Sequence, residues 1–215
     1  IRAMLAQRQW NDAIETLRQL MQTGDDKLVA VNQRRYVTLR DYCNLQLAAL
    51  PPEALRLYRQ RVDPAAQRWY SEGLAARDER RLLNVIEQAF ASSWGDEALI
   101  ALGELALERG DYAAARWHFE RIIPQSAPSG SNPTWPGYPD TNLDLAAVRA
   151  RLVLTSILEG STGRAKEELA EFKRLHPQAT GRLGGREVNF ADALTELLAQ
   201  SAAWPQGKPS TDWLT

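Results

Sequence analysis

The sequence predicts an all-α fold assembled from helical hairpins, and three observations carry that prediction. Leu, Ala, Arg and Glu dominate, with long stretches free of Gly and Pro, a balance that favours helix. Residues 95–124 place apolar side chains at helical spacing on two consecutive segments joined by Gly110-Asp111. A weaker version of the same pattern returns elsewhere in the chain. At 215 residues the chain has room for one ordinary domain or one continuous helical array.

Taken in order, "QWNDAIETLRQL" puts Trp10, Ala13, Leu17 and Leu20 on one helical stripe. Residues 33–49 do the same with Tyr36, Leu39, Cys43 and Leu47. Residues 51–61 open with Pro51-Pro52-Glu53, a first-turn proline entry. Asp63-Pro64 reads as an N-cap followed by proline at the first position of a new helix, which carries Trp69, Gly73 and Ala76. Residues 95–110 form the next helix, with Asp96 and Glu97 opposing the dipole in its first turn and Gly110 following its last. Its inward face is Leu99, Leu102, Gly103 and Ala106. Asp111 caps a partner helix with Tyr112, Ala115, Phe119 and Ile122 inward, ended by Pro124. Small residues at 103, 106 and 115 allow close approach, and Phe119 fills the gap. Residues 140–159, after an Asp-Thr-Asn start, and 187–203, with Val188, Ala191, Leu194 and Leu198, complete about ten helices.

The 95–124 hairpin leaves one face uncovered and so requires a neighbour. A shift of 30 residues places Gly73, Ala76, Leu82 and Val85 under Gly103, Ala106, Tyr112 and Ala115. A shift of 50 places Gly160, Ala165, Leu169 and Phe172 under Gly110, Ala115, Phe119 and Ile122. The hairpin resembles the tetratricopeptide repeat: Leu102-Gly103, Ala115 and Phe119 stand where that family has its Leu-Gly pair, Ala and aromatic. Leu99 departs from it, standing where the family often has Trp, and Pro124 arrives about three residues early. Four degenerate hairpins at unequal spacing suggest an irregular, right-handed α–α superhelix over residues 1–203, read as sub-units 1–61, 62–123 and 140–203 with a loop at 124–139.

Two interruptions fall between these segments. "PQSAPSGSNPTWPGYPDTN" holds five of the eleven prolines with Trp135 and Tyr138, and such loops either bind or fold back to pack. "ATGRLGGREVNF" has glycines but neither a preceding strand nor a Gly-Lys-Ser/Thr ending, which excludes a phosphate-cradling loop. Residues 204–215 turn Pro- and Gly-rich and read as a linker to a following domain, and Ile1 as the start of a fragment or processed form.

Composition narrows the chemistry. A net charge of −1 gives no global attraction to nucleic acid or anionic membrane, and no apolar run is long enough to span a bilayer. Arginine supplies 22 of the 26 basic residues. The single cysteine, Cys43, follows a core stripe and reads as a buried, inert thiol, and His118 and His176 fall in different hairpins, so no metal site is expected. The glutamates have the spacing of solvated helix faces. No catalytic, cofactor or metal residues are assigned. The expected role is a non-catalytic protein–protein interaction or scaffolding module, with Trp117 turned away from the Ala115/Phe119 stripe. Arg116, Trp117, Trp135 and Tyr138 are the candidate partner contacts. A small-ligand or glycan cleft with carboxylate chemistry and an oligomerisation module are the alternatives.

The ordering of "LRLYRQRVDPAAQRWYSEG", "SSWGDEALIALGELALERGDYAAARWHFERIIP", "YPDTNLDLAAVRARLVLTSILEG" and the closing "W-P…DWLT" is similar to the N-terminal helical region of planctomycete-type bacterial proteins. Those proteins carry a quinoprotein-type (PQQ-like) β-propeller downstream. The resemblance implies an exported, extracytoplasmic multidomain protein whose own propeller is one candidate partner, and it assigns no catalytic residue to this region. Any quinone site would belong to the propeller.

Overall fold

The computed structural model describes residues 1–23, 27–32, 35–124 and 137–204, and among these it is mostly helical, with ten helices and two antiparallel β-hairpins. The chain divides into two compact units, Ile1–Leu143 and Asp144–Thr215. The first contains α1 (Arg2–Ala6), α2 (Trp10–Thr23), β1 (Leu28–Asn32), β2 (Arg35–Thr38), α3 (Leu39–Ala48), α4 (Pro52–Ala76), α5 (Glu79–Gln88), α6 (Gly95–Glu108) and α7 (Tyr112–Glu120). The second contains α8 (Leu145–Leu158), α9 (Thr162–Leu175), β3 (Thr180–Leu183), β4 (Arg186–Asn189) and α10 (Phe190–Ser201).

Four helix–helix turns close in the same way. In each, an amide just past the helix donates to a carbonyl five residues back: Gln9 to Met4, Asp78 to Gly73, Asp111 to Ala106 and Ser161 to Ser156, at 2.8–3.0 Å. This bond satisfies a terminal carbonyl, and it requires a left-handed residue between the helices. Arg8, Arg77, Gly110 and Gly160 take that conformation, with φ of +57°, +50°, +75° and +80°. Hairpins α1–α2, α4–α5, α6–α7 and α8–α9 follow. The shift of 50 residues is the one these closures give for α8–α9, and Ala165, Leu169 and Phe172 are buried as Ala115, Phe119 and Ile122 are. For α4–α5 the closures set a shift of 33 rather than 30, because Asp78 stands where Asp111 does and Gly73 where Ala106 does.

Two expected boundaries move. Pro64 does not begin a helix but lies inside α4, which runs unbroken through residues 61–64. The Asp63 carboxylate, read as a cap, instead accepts hydrogen bonds from the Ser93 amide (2.9 Å) and hydroxyl (2.8 Å). Helix α8 starts after Asp144, whose side chain accepts from the Ala146 amide, rather than at 140–142.

The stretches 35–38 and 187–189, expected as helix, are strand. Both belong to hairpins that lead straight into a helix. Thr38 and Asn189 end the strands and cap α3 and α10, accepting from the Asp41 amide (3.0 Å) and the Asp192 amide (3.1 Å). The first helical amide then reaches back across the hairpin base: Leu39 donates to the Lys27 carbonyl (2.8 Å) and Phe190 to that of Ala179 (3.0 Å). In the second hairpin Gly184 and Gly185 both have positive φ (+57° and +80°), as a tight two-residue turn between twisted strands needs. The arrangement helical hairpin, β-hairpin, helix therefore occurs once in each unit, as α1–α3 and as α8–α10. In unit two its core is Val153, Ile157, Leu169, Phe172, Phe190 and Leu194, with the rings of Phe172 and Phe190 edge to face at 6.3 Å.

Candidate functional site

Helix α7 carries two of the expected contacts. Asp111 caps it, accepting from the Ala114 amide at 3.0 Å, and Ala115 and Phe119 are buried against α6. That phase turns Trp117 outward, with 37% of its surface exposed. Arg116 shows less of itself: its side chain is 14% exposed, and its guanidinium pairs with Glu120 one turn on at 3.1 Å. Trp117 is the large apolar side chain exposed on α7 among the described residues.

Beneath it lies a buried cation. The Arg121 guanidinium sits 4.4 Å from the Phe90 ring centroid and 5.4 Å from that of Trp117. Aromatic faces attract a desolvated cation, so these rings stabilise the charge in place. Burial nonetheless lowers the Arg121 pKa to about 10, against the opposing pull of Asp41. The neighbouring His118 is also buried, and burial, followed by the charge of Arg121, lowers its pKa to about 4. Neutral His118 leaves Nδ1 without a hydrogen-bond partner among the described residues. Sequence reading placed both histidines correctly in separate hairpins but gave no sign of Arg121.

Tyr138 is buried rather than presented. Its hydroxyl donates to the Ser92 carbonyl (2.7 Å) and accepts from Arg59 Nη2 (3.1 Å), and its ring meets Phe90 edge-on at 6.2 Å. Arg59 also grips Asp140 with both terminal nitrogens (2.8 and 2.5 Å) and donates from Nε to the Ala91 carbonyl (3.1 Å). Burial pushes the Tyr138 phenol upward. Thr141 then donates to Asp96 at 2.7 Å. At Tyr138, the described end of the proline-rich loop, the side chain is buried and both its hydroxyl and its amide are engaged internally, the amide by the Arg121 carbonyl at 2.7 Å. Trp135 lies outside the described residues, as does the linker beyond Trp204. The expected sites therefore divide, with Arg116 and Trp117 on α7 and Tyr138 in the interior.

Asp96 and Glu97 place two adjacent carboxylates in the first turn of α6. Burial and then the charge of Asp96 raise the Glu97 pKa, while Asp96 accepts from Thr141 and from the Glu97 amide. Among the described residues no three His, Cys, Asp or Glu side chains cluster as metal ligands, and no helix is long and apolar enough to cross a membrane. Cys43 is fully buried and its pKa rises by burial to about 11, which keeps it a thiol at neutral pH.

A cleft that the sequence did not mark opens between α2, α3, α4 and α5, and three arginines from three different helices line it. No protein-family model, curated protein or solved structure matches this chain.

Proposed function

We propose that this chain is a non-catalytic interaction module of a larger protein, its hairpins stacked as a tetratricopeptide-like α–α superhelix that presents α7 to a protein or peptide partner. The observation behind this reading is Trp117. It stands 37% exposed on a capped helix, with the buried Arg121 guanidinium under its ring. A large aromatic held in a fixed position loses little conformational freedom on binding, and such residues dominate contact energies. A β-propeller downstream, as the resemblance above implies, would be one partner of this class.

Site-specific photocrosslinking tests it. A benzophenone side chain at position 117 of the full-length parent should capture a defined polypeptide surface, either in a second protein or in the parent's own following domain. The same probe at the exposed Ala113 on α7 should not. Equal capture at both positions, or none at 117, would overturn the reading.

A further inference from the structure

We propose that the cleft between α2, α3, α4 and α5 binds a monocarboxylate carried on an aromatic or otherwise apolar body. The site shares no residue with the Trp117 face and does not rest on the reading above.

The cleft has a volume of about 320 Å³, at the small end of the range typical of ligand sites, and is lined by Arg18, Arg40, Arg61, Trp69, Met21 and Glu87 among others. The arginine side chains are 33%, 27% and 34% exposed, so about two-thirds of each is withdrawn from water. Charges in that setting attract an anion more strongly than fully solvated ones do. Guanidinium forks also match the plane and spacing of a carboxylate, engaging it in bidentate fashion.

Charge balance decides how much anion the cleft takes. Arg18 and Arg61 share Glu15, at 3.3 and 3.7 Å, and Arg61 also donates to Asn11 Oδ1 at 2.6 Å. Arg40 pairs with Glu87 across α3 and α5 at 3.2 Å. Arg18 and Arg61 thus share one carboxylate, which leaves an excess of one positive charge around Glu15. A monoanion neutralises it, whereas a dianion would have to expel a glutamate.

The remaining wall selects the body of the ligand. Trp69 is half-buried, and Met21, Val62, Ala65 and Ala89 extend the apolar lining beside it. A flat ring can stack on Trp69 while its carboxylate reaches the arginines.

Comparison with the repeated module shows that two of the three arginines are not required by its architecture. Superposing the two left-handed turns, Arg8 on Gly160, places Ala170 where Arg18 stands. Superposing the caps, Thr38 on Asn189, places Ala191 where Arg40 stands. The second copy builds the same helix–hairpin–helix without either guanidinium.

The test is calorimetric titration of the full chain with N-acetylphenylalanine and, separately, with N-acetylphenylalaninamide. The acid should bind about tenfold or more tightly than the neutral amide. Arg40→Gln and Arg61→Gln should each weaken the acid by about tenfold and leave the amide unchanged, while Trp69→Ala should weaken both. A peptide ending in Phe with a free carboxylate identifies the source. Tighter binding than the capped amino acid indicates a polypeptide C-terminus, and equal binding indicates a free small acid; both support the site. Acid and amide binding alike, or no heat from the acid up to about 10 mM, would overturn it without touching the crosslinking result at Trp117.

Discussion

The ring of Phe119 lies directly on the Cα of Gly103, so close that a Cβ at position 103 would stand 2.2 Å from Phe119 Cε1. Both residues are buried, and no flexible chain end is available to move aside. Gly103→Ala should therefore destabilise by about 1–3 kcal/mol through overpacking, although alanine is the better helix former. Combining it with Phe119→Leu should cost less than the two single changes summed. A double-mutant cycle by urea unfolding checks this, and additive effects would show that the two do not pack as described.

Stability should fall below neutral pH because of His118. Its folded-state pKa, lowered by burial and by Arg121, is about 4, against about 6.5 for the unfolded chain. Between those values the unfolded state binds the extra proton. The contribution is full above about pH 6.5 and is lost as pH falls toward about 4, on the order of 3 kcal/mol if fully expressed. Urea midpoints measured at pH 7.5 and 5 should differ for the native chain and differ less for His118→Phe. Arg121→Met should narrow the difference as well, by removing the second cause.

Tyr138 and Arg59 fix the end of the proline-rich loop, and they should do so unequally. Tyr138→Phe removes one hydroxyl that donates to Ser92 and accepts from Arg59, and about 1 kcal/mol is expected. Arg59→Met strips the partners of Asp140 and the Ala91 carbonyl together and should cost about twice that. Proteolysis following residue 138 should accelerate in the arginine variant more than in the phenylalanine one.

The four left-handed turn residues allow opposite predictions from one geometry. Arg77 holds φ +50° where Gly110 and Gly160 hold theirs. Arg77→Gly should stabilise by about 0.5–1 kcal/mol, since relief of the strained backbone exceeds the added freedom of the unfolded chain. Its ion pair with Glu108 is exposed on both sides and contributes little. Gly160→Ala should destabilise by about 1 kcal/mol, even though a Cβ there meets no atom within 4 Å. Thermal midpoints of the two variants should move in opposite directions.

The helices were legible because 3.6-residue periodicity, caps and turn glycines are local signals. Asp111, Gly110, Ala115 and Phe119 each do in the structure what their spacing implies. Pro64 misled because proline is favoured at the first position of a helix, whereas here it lies inside α4. The hairpins were missed because their strands have four or five residues, too few for an alternating pattern to outweigh helical spacing in the flanks. "RLGGREV" did contain the signal, a Gly-Gly pair between short alternating segments. Arg59 meeting Asp140 and the three arginines of the cleft leave no such trace, because their partners lie on other elements and no spacing rule connects them.

The amides of Leu39 and Phe190 reach back to the carbonyls of Lys27 and Ala179, so each hairpin returns the chain to the point from which it left. Closing a short loop early costs little chain entropy, and contacts made over such short separations form quickly. Each unit accordingly holds a stretch able to assemble from its own neighbours, ahead of any longer-range pairing. These two amides mark where that order begins: in native-state hydrogen exchange they should open with the helix each one starts, as members of one cooperative segment rather than as fraying ends.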